Sequence, residues 1–194
     1  MNSYEDETFN SDASSLNGEL NSLRSSEFYN CHFENFNFVG KDCQFSKFLE
    51  CTFKNVNFSN ALISGSTFRD CKFNHSKLTG INWSDCSSLS AVEFDECILD
   101  LSIFSGMNLK KMNFKNSKIH QADFSESNLE EAVFCGSDLR ETTFAGANLM
   151  KADLRSATNY SIDLAYTKIR KAKFSFPEVI ALLESQDIEI EGYR

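Results

Sequence analysis

Large hydrophobic residues recur at every fifth position along most of this chain. The series runs from Phe28 to Trp83, resumes at Leu89 after one extra residue between Ser84 and Ser88, and continues to Phe174 with a lapse at Asn159. A helix has a period of about 3.6 and a single strand a period of about 2, so neither accounts for a strict period of five. A chain that turns a right angle every five residues does account for it, with each large residue pointing to a common axis.

A second series, two residues earlier, favours small side chains, and Asn or Asp often stands between the two series. The segments 122–124 (Ala-Asp-Phe) and 147–149 (Ala-Asn-Leu) are examples. Asn and Asp suit corners, because their side chains bond nearby backbone and tolerate turn conformations. The unit therefore reads small, Asn or Asp, large, any, any.

The alternation of large residues predicts coils of four units, or twenty residues. Between Phe94 and Leu149, Phe alternates with Leu or Ile, so a coil of twenty would stack like residues on like. Cys31, Cys51 and Cys71, spaced by twenty, would form one inward column.

This pattern resembles the pentapeptide-repeat family, whose fold is a right-handed quadrilateral β-helix. The resemblance covers about Ser26 to Phe174. It implies an all-β solenoid with coils about 4.8 Å apart and a rod of roughly 35 Å. Such stacks leave apolar ends open and need caps.

The two ends of the chain depart from the pattern. Residues 1–22 are polar and acidic, and we expect an acidic tail or a loose N-terminal cap. The β-helix is expected over 23–174, and a C-terminal cap over 175–194. In that cap, Phe176-Pro177-Glu178 is typical of a helix start, and residues 187–191 alternate like a short strand.

The predicted C-terminal helix and strand could join two copies of the chain. The strand would have an unpaired edge that favours pairing with a second copy. The alternative is a plain monomeric cap. The residues expected at the dimer interface are Val179, Leu182, Leu183, Ile188 and Ile190.

Segments at the C-terminal end and in the middle of the chain are similar to one branch of the family. They are 159–163, 172–178 and 182–189, together with Gly80-Ile81-Asn82-Trp83 and Glu96-Cys97-Ile98-Leu99. The branch comprises albicidin-resistance and Qnr-like, topoisomerase-protecting proteins. The resemblance implies a C-terminal homodimer that binds DNA gyrase or topoisomerase IV, mimics duplex DNA and protects the enzyme from a poison. The long loops of the quinolone-protecting relatives are absent, which leaves the kind of poison open.

The formal net charge of −9 argues against a direct nucleic-acid binder, which needs a basic footprint. The surplus lies in the tails, since residues 23–174 contain 18 basic and 18 acidic residues. One stretch of the rod, from Ser84 to Asp100, is nevertheless acidic and contains no Lys or Arg. We predict a partner-binding surface there, formed by Asp85, Glu93, Asp95, Glu96 and Asp100. The alternative is charge pairing between coils, with Asp95 stacked against Lys115.

No pattern of catalytic, metal-binding or cofactor-binding residues is found in the sequence. His32, His75 and His120 fall at outward positions, and none forms a metal motif with its neighbours. Cys135 is the outward thiol expected to be most reactive. We therefore expect a protein that is not an enzyme and has no cofactor.

The remaining features concern the compartment. There is no apolar run long enough for a membrane span, and the acidic start excludes a secretory signal. Seven cysteines without a signal indicate reduced thiols in the cytoplasm. The predicted function is a topoisomerase-binding immunity factor, and the alternative is a scaffold for an unrelated protein partner.

Overall fold

The protein is a right-handed quadrilateral β-helix in a computed structural model that describes residues 2–10, 23–184 and 188. Four five-residue units make one coil, and the coils stack in parallel. The predicted fold class is thereby confirmed. The strands are β1 (Ser3–Glu5), β2 (Thr8–Asn10), β3 (Glu27–Tyr29), β4 (His32–Glu34), β5 (Lys47–Leu49), β6 (Thr52–Lys54), β7 (Thr67–Arg69), β8 (Lys72–Asn74), β9 (Ser88–Ser90), β10 (Glu93–Asp95) and β11 (Asn113–Lys115).

The four sides of the rod differ in how their coils are joined. Side 1 is a parallel sheet in the order β1-β3-β5-β7-β9, and side 2 is a parallel sheet in the order β2-β4-β6-β8-β10-β11. Side 3 is joined by single bridges such as Asn57↔Lys77, and side 4 by bridges such as Ile103↔Asp123. Partners lie twenty residues apart, as in Phe28↔Phe48. Every fourth unit therefore returns to the same side.

Stacked rings fill the axis of the rod. On side 2, Phe94, Phe114 and Phe134 are fully buried and stack at centroid distances of 5.5 and 5.0 Å. Phe124, on side 4, meets Phe114 edge-on at 5.5 Å and 84°. Offset and edge-on ring contacts are the favourable ones, and they add to the burial of apolar surface. The predicted stacking of like on like is present.

The extra residue predicted between Ser84 and Ser88 is accommodated at the corner between sides 4 and 1. A 3-10 helix occupies Trp83–Asp85. Beyond it, Phe68 pairs with Leu89, so this coil has twenty-one residues instead of twenty. The indole of Trp83 is fully buried and stacks on Phe104, which keeps the axis filled across the irregular corner.

Residues 3–10, within the segment 1–22 for which we expect an acidic tail or a loose N-terminal cap, are part of the rod. Strands β1 and β2 pair with β3 and β4 and add a first partial coil. Tyr4 stacks on Phe28 at 4.9 Å, and Phe9 stacks on Phe33 at 4.8 Å. Tyr4 and Phe9 are themselves five apart, but twenty-four residues separate them from their partners, so the series of large residues did not include them. Residues 11–22 lie outside the described residues.

The corners combine a side-chain hydrogen bond with a left-handed residue. The carboxylate or amide before the large residue accepts the backbone N–H two residues later, as Asp123 does from Ser125 at 2.8 Å. This is the predicted bonding of Asn and Asp to nearby backbone. The left-handed residue is instead the fifth of the unit, and it includes bulky residues such as Phe45, with φ 59°. Gly65, stacked on Phe45, has no side chain, and a Cβ there would lie 2.6 Å from the Phe45 ring.

Several of the small Ser, Thr and Cys residues bond to the backbone of the preceding coil. Ser137 Oγ donates to the carbonyl oxygen of Phe114 at 2.5 Å, and Thr167 Oγ1 donates to that of Phe144 at 3.0 Å. Cys71 Sγ donates to the carbonyl oxygen of Phe48 at 3.3 Å. A hydroxyl or thiol at this position therefore joins two coils without occupying the axis.

All seven cysteines are unpaired. Cys31, Cys51 and Cys71 are fully buried in the predicted column, where burial raises the pKa of Cys31 to about 11. Burial also raises the pKa of Cys86, which is half-buried, to about 12. For Cys135, burial and the neighbouring Asp153 raise the pKa.

The C-terminal end closes with the predicted helix. A 3-10 turn at Glu178–Ile180 leads into α1 (Ala181–Glu184). At the lapse at Asn159 the next residue is buried, and the Tyr160 ring lies 5.7 Å from the ring of Phe174 between centroids. The predicted strand at 187–191 lies outside the described residues except for Ile188, which is exposed. Within the described part of the chain, no helix is long and apolar enough to span a membrane.

Phe114→Ala should destabilise the rod by about 3–5 kcal/mol, because it opens a cavity between two stacked rings. Urea unfolding followed by circular dichroism would measure this as a lower midpoint. Lys115→Ala, on the same strand but exposed, is the matched control and should change stability by less than about 0.5 kcal/mol. Equal losses in the two variants would contradict a core held by the stacked column.

Cys135 should be the first thiol of the folded protein to react with iodoacetamide. Five cysteines are buried, and the pKa of Cys86 is about 12. Because the thiolate is the reactive form and the pKa of Cys135 is raised, the rate should be low at neutral pH and rise as the solution becomes alkaline. Mass spectrometry of peptides locates the label. Earlier labelling of Cys86, or unchanged labelling in Cys135→Ser, would contradict this order.

Candidate partner-binding surfaces

The filled axis leaves the outer surface of the rod as the place for recognition. Three residues of each unit point outward, the one before the large residue and the two after it. Residues that share a side and lie in neighbouring coils are twenty apart in sequence, or twenty-one across the 3-10 helix, as in Asn82↔Ile103. Neighbours on the surface are therefore distant in sequence.

The predicted acidic stretch does not lie on one side of the rod. Glu93 and Asp95 lie on β10 of side 2, and Glu96 follows at the next corner. Asp100 follows the side 3 bridge residue Ile98, and Asp85 lies in the 3-10 helix between sides 4 and 1. Fifteen residues of sequence run around three quarters of a coil, so these five carboxylates do not face one direction.

Four of these five carboxylates have partners on adjacent coils. Glu93 lies 3.6 Å from Lys72 Nζ, and Glu96 lies 2.8 Å from His75 Nε2. The remaining contacts are Asp100 with Lys118 Nζ at 3.0 Å and Asp95 with Asn116 Nδ2 at 2.9 Å. These contacts agree with charge pairing between coils. Asp95 is in register with Lys115 as expected, although its hydrogen bond goes to Asn116.

Exposed ion pairs of this kind contribute little stability, about 0–1 kcal/mol each. Their larger effect is on the electrostatic potential at the surface, because a carboxylate beside a cation presents little net charge to a partner. The role of Asp85, Glu93, Asp95, Glu96 and Asp100 in partner binding stays a prediction.

From residue 61 onward, side 4 contains carboxylates without cations. Its first coils do contain cations, since Arg24 and Lys41 lie there and Arg24 pairs with Asp42 at 3.3 Å. The later segments, 61–65, 81–86, 102–106, 122–126, 142–146 and 162–166, contain no Lys, Arg or His. They contribute Asp85, Asp123, Glu126 and Asp163. The local sequence gave no sign of this surface, since these residues are dispersed over eighty positions. Aligning the chain in steps of twenty, with the one-residue shift, would have revealed it.

The local turns orient two of these carboxylates. Asp123 and Asp163 each accept the backbone N–H two residues later, at 2.8 Å, from Ser125 and Ala165. Asp85 and Glu126 are exposed at the corner between sides 4 and 1. The Glu126 carboxylate occupies the space that a Cβ at position 146 would fill, so this side-chain position depends on residue 146 being glycine.

Apolar side chains are also exposed on side 4. Leu62 is 52% exposed and Ile103 is 38% exposed. A shallow groove of about 340 Å³ lies beside Leu62 and is lined by Gln44, Asn82 and Asp85 among others. This side therefore combines free carboxylates with apolar side chains that could enter a partner surface.

Apart from Arg24 and Lys41 on the first coils of side 4, the cations that balance the rod lie on the other sides. The last coil of side 1 is the most basic part, with Lys168, Arg170 and Lys171 exposed. Lys151 on the coil before it contacts Glu130 at 3.1 Å and Glu131 at 3.3 Å. The net charge of residues 23–174 is therefore zero, although acidic and basic residues are unevenly distributed among the four sides.

The histidines of the described chain serve contacts between coils. His32 Nδ1 lies 2.6 Å from Thr52 Oγ1, and His120 Nε2 lies 2.8 Å from an oxygen of Asp138. Within residues 2–10, 23–184 and 188, no group of three His, Cys, Asp or Glu side chains could hold a metal ion.

Solved structures with the same architecture are similar to this chain over nearly its whole length. Two trypsin-treated variants of QnrB1, described as a plasmid-mediated fluoroquinolone resistance protein, match with TM-scores of 0.66 and 0.67. Their sequence identities are 17% and 16%, with 97–98% of this chain and 97% of theirs covered. HetL, from the cyanobacterium Nostoc sp. strain PCC 7120 and involved in heterocyst differentiation, matches at TM-score 0.55 and 18% identity, covering 88% of this chain and 81% of its own.

At these identities the structural matches establish the fold alone. No curated protein matches the sequence. The family model described as pentapeptide repeat region matches residues 21–87 and 83–154, which is more than half of the chain. The five-residue period, the filled square axis and this match together mean that the chain belongs to the pentapeptide-repeat family.

Proposed function

We propose that this protein is a non-enzymatic, DNA-mimicking protein that binds DNA gyrase or topoisomerase IV and gives resistance to a topoisomerase poison. The observation that carries the proposal is the separation of charge on a rod with a filled axis. From residue 61 onward, side 4 displays Asp85, Asp123, Glu126 and Asp163 without a cation, as a mimic of the anionic DNA backbone requires. The fold of QnrB1, a protein described as giving fluoroquinolone resistance, supports the same proposal.

The mechanism would be competition for a basic DNA-binding surface. A rod with an anionic side occupies that surface and displaces the DNA on which the poison acts. Binding of this kind weakens with salt, because charges on an exposed surface are screened over about 10 Å at 0.1 M ionic strength. We place the protein in the bacterial cytoplasm, where its unpaired thiols remain reduced.

We further propose a homodimer joined through the C-terminal cap. Leu182 of α1 is buried against the end of the rod, whereas Leu183 is 40% exposed and Ile188 is 53% exposed. Val179 is half-buried beside them. The Phe176 side chain is 80% exposed at the start of the cap. A second copy would cover these apolar side chains, and Ile190, outside the described residues, is expected at the same interface.

Purified protein titrated into a gyrase supercoiling assay tests the proposed function. We expect inhibition at high protein concentration, and at low concentration rescue of supercoiling in the presence of a quinolone or albicidin. Both effects should be weaker at the higher of two salt concentrations. No effect in either arm, with gyrase and topoisomerase IV of the same host, would contradict the proposal and favour a scaffold for another partner.

Leu183→Asp combined with Ile188→Asp should convert the dimer into a monomer, because it places charges on the exposed apolar side chains of the cap. Sedimentation velocity measures the change. Ile98→Asp, at a residue 36% exposed on side 3, is the control and should leave the dimer intact. A double variant that still sediments as a dimer would refute the C-terminal interface.

A further inference from the structure

From residue 61 onward, side 4 differs from the other three sides in how a partner would meet its charges, whereas on its first coils Arg24 pairs with Asp42. A cation approaching side 2 must compete with Lys72 for Glu93, and one approaching side 3 must compete with Lys118 for Asp100. On side 4, no ion pair engages Asp85, Asp123 or Glu126 among the residues that the structure describes. A basic partner therefore gains the full interaction with these carboxylates and displaces no internal cation.

The shape of side 4 favours close approach. Along most of this side, the residue that follows each large side chain is small. These residues are Ser64, Ser84, Ser105, Ser125, Ala145 and Ala165. At the corner with side 1, Gly65, Gly106 and Gly146 alternate with Asp85 and Glu126. With a coil spacing of about 4.8 Å, the two carboxylates lie about 10 Å apart with glycine between them.

The apolar residues indicate more than electrostatic attraction. Leu62 and Ile103 occupy the same position of their units, and Asn82 lies between them on the intervening coil. Both side chains are exposed beside free carboxylates, and the groove next to Leu62 is bordered by Asp85. Binding sites commonly combine apolar anchors at the centre with charges that steer and orient the partner.

We infer that side 4 from residue 61 onward is the docking surface of this protein, and that its partner is a protein surface rich in Lys or Arg with an apolar residue that packs on Leu62 and Ile103. The partner's identity as a topoisomerase rests on the proposed function, whereas the location of the surface does not. Sides 1, 2 and 3 face away from the partner. The inference places the contact on different residues from the acidic stretch on sides 2 and 3.

A lysine scan around one coil tests the location. Ser88→Lys, Glu93→Lys, Ile98→Lys and Ile103→Lys place one lysine at the equivalent outward position of sides 1, 2, 3 and 4. Ile98 and Ile103 are matched controls for each other, since they are 36% and 38% exposed. Urea unfolding midpoints verify that each variant retains the fold.

Only Ile103→Lys should weaken the binding of gyrase, by about tenfold or more at low salt and by less at high salt. The other variants should stay within about twofold of the natural protein, including Glu93→Lys, which changes the charge by two units. A loss in Glu93→Lys equal to or larger than that in Ile103→Lys would overturn the inference and restore the acidic stretch as the binding surface.

A second measurement locates the surface without a topoisomerase. In amide NMR spectra, a short oligolysine peptide should shift Ser64, Ser84, Ser105 and Ser125 more than residues of β6, β8 and β10, and salt should reverse the shifts. Even shifts on all sides, shifts centred on side 2, or no shifts would overturn the inference. If gyrase does not bind the natural protein but oligolysine maps to side 4, the proposed function fails and the docking surface stands.

Discussion

The structure depends on the filling of a square axis by one large side chain from every five-residue unit. Each ring or aliphatic side chain must match the width of the coil above and below it, so Phe stacks on Phe and Leu on Leu. Because the small residue beside it carries a hydroxyl, a thiol or a methyl group, the backbone can pass close to the axis. In the described coils, the hydrophobic core is therefore a continuous column of packed side chains.

This constraint moves recognition to the outside of the rod and fixes how outward residues are grouped. Parallel stacking brings residues twenty apart into contact, and it pairs many charges between coils, as Lys72 with Glu93 and Lys118 with Asp100. The pairing is local, so it neutralises some sides and leaves another anionic. A rod whose residues 23–174 sum to no net charge can in this way present a charged surface to a partner.

The irregular parts of the molecule follow from the same constraint. The extra residue near Asp85 is tolerated because it forms a 3-10 turn at a corner, where Trp83 still reaches the axis. Beside the lapse at Asn159, the large residue Tyr160 is buried and contacts Phe174. Left-handed corner residues of many chemical types are possible because their side chains point to solvent, and glycine is needed only where a bulky neighbour such as Phe45 lies across it.

The sequence alone determined the fold, the axial residues, the position of the insertion and the short C-terminal helix, because each of these follows from a period that is read locally. It did not determine the first coil, since Tyr4 and Phe9 are twenty-four residues from Phe28 and Phe33. It also did not determine the sides on which charges lie. The stretch from Asp85 to Asp100 is compact in sequence but runs around the rod, whereas Asp85, Asp123 and Glu126 are dispersed in sequence and share a side. The tertiary structure decides this grouping, because electrostatic neighbours are set by distance in space, and in a solenoid that distance is shortest between residues one coil apart.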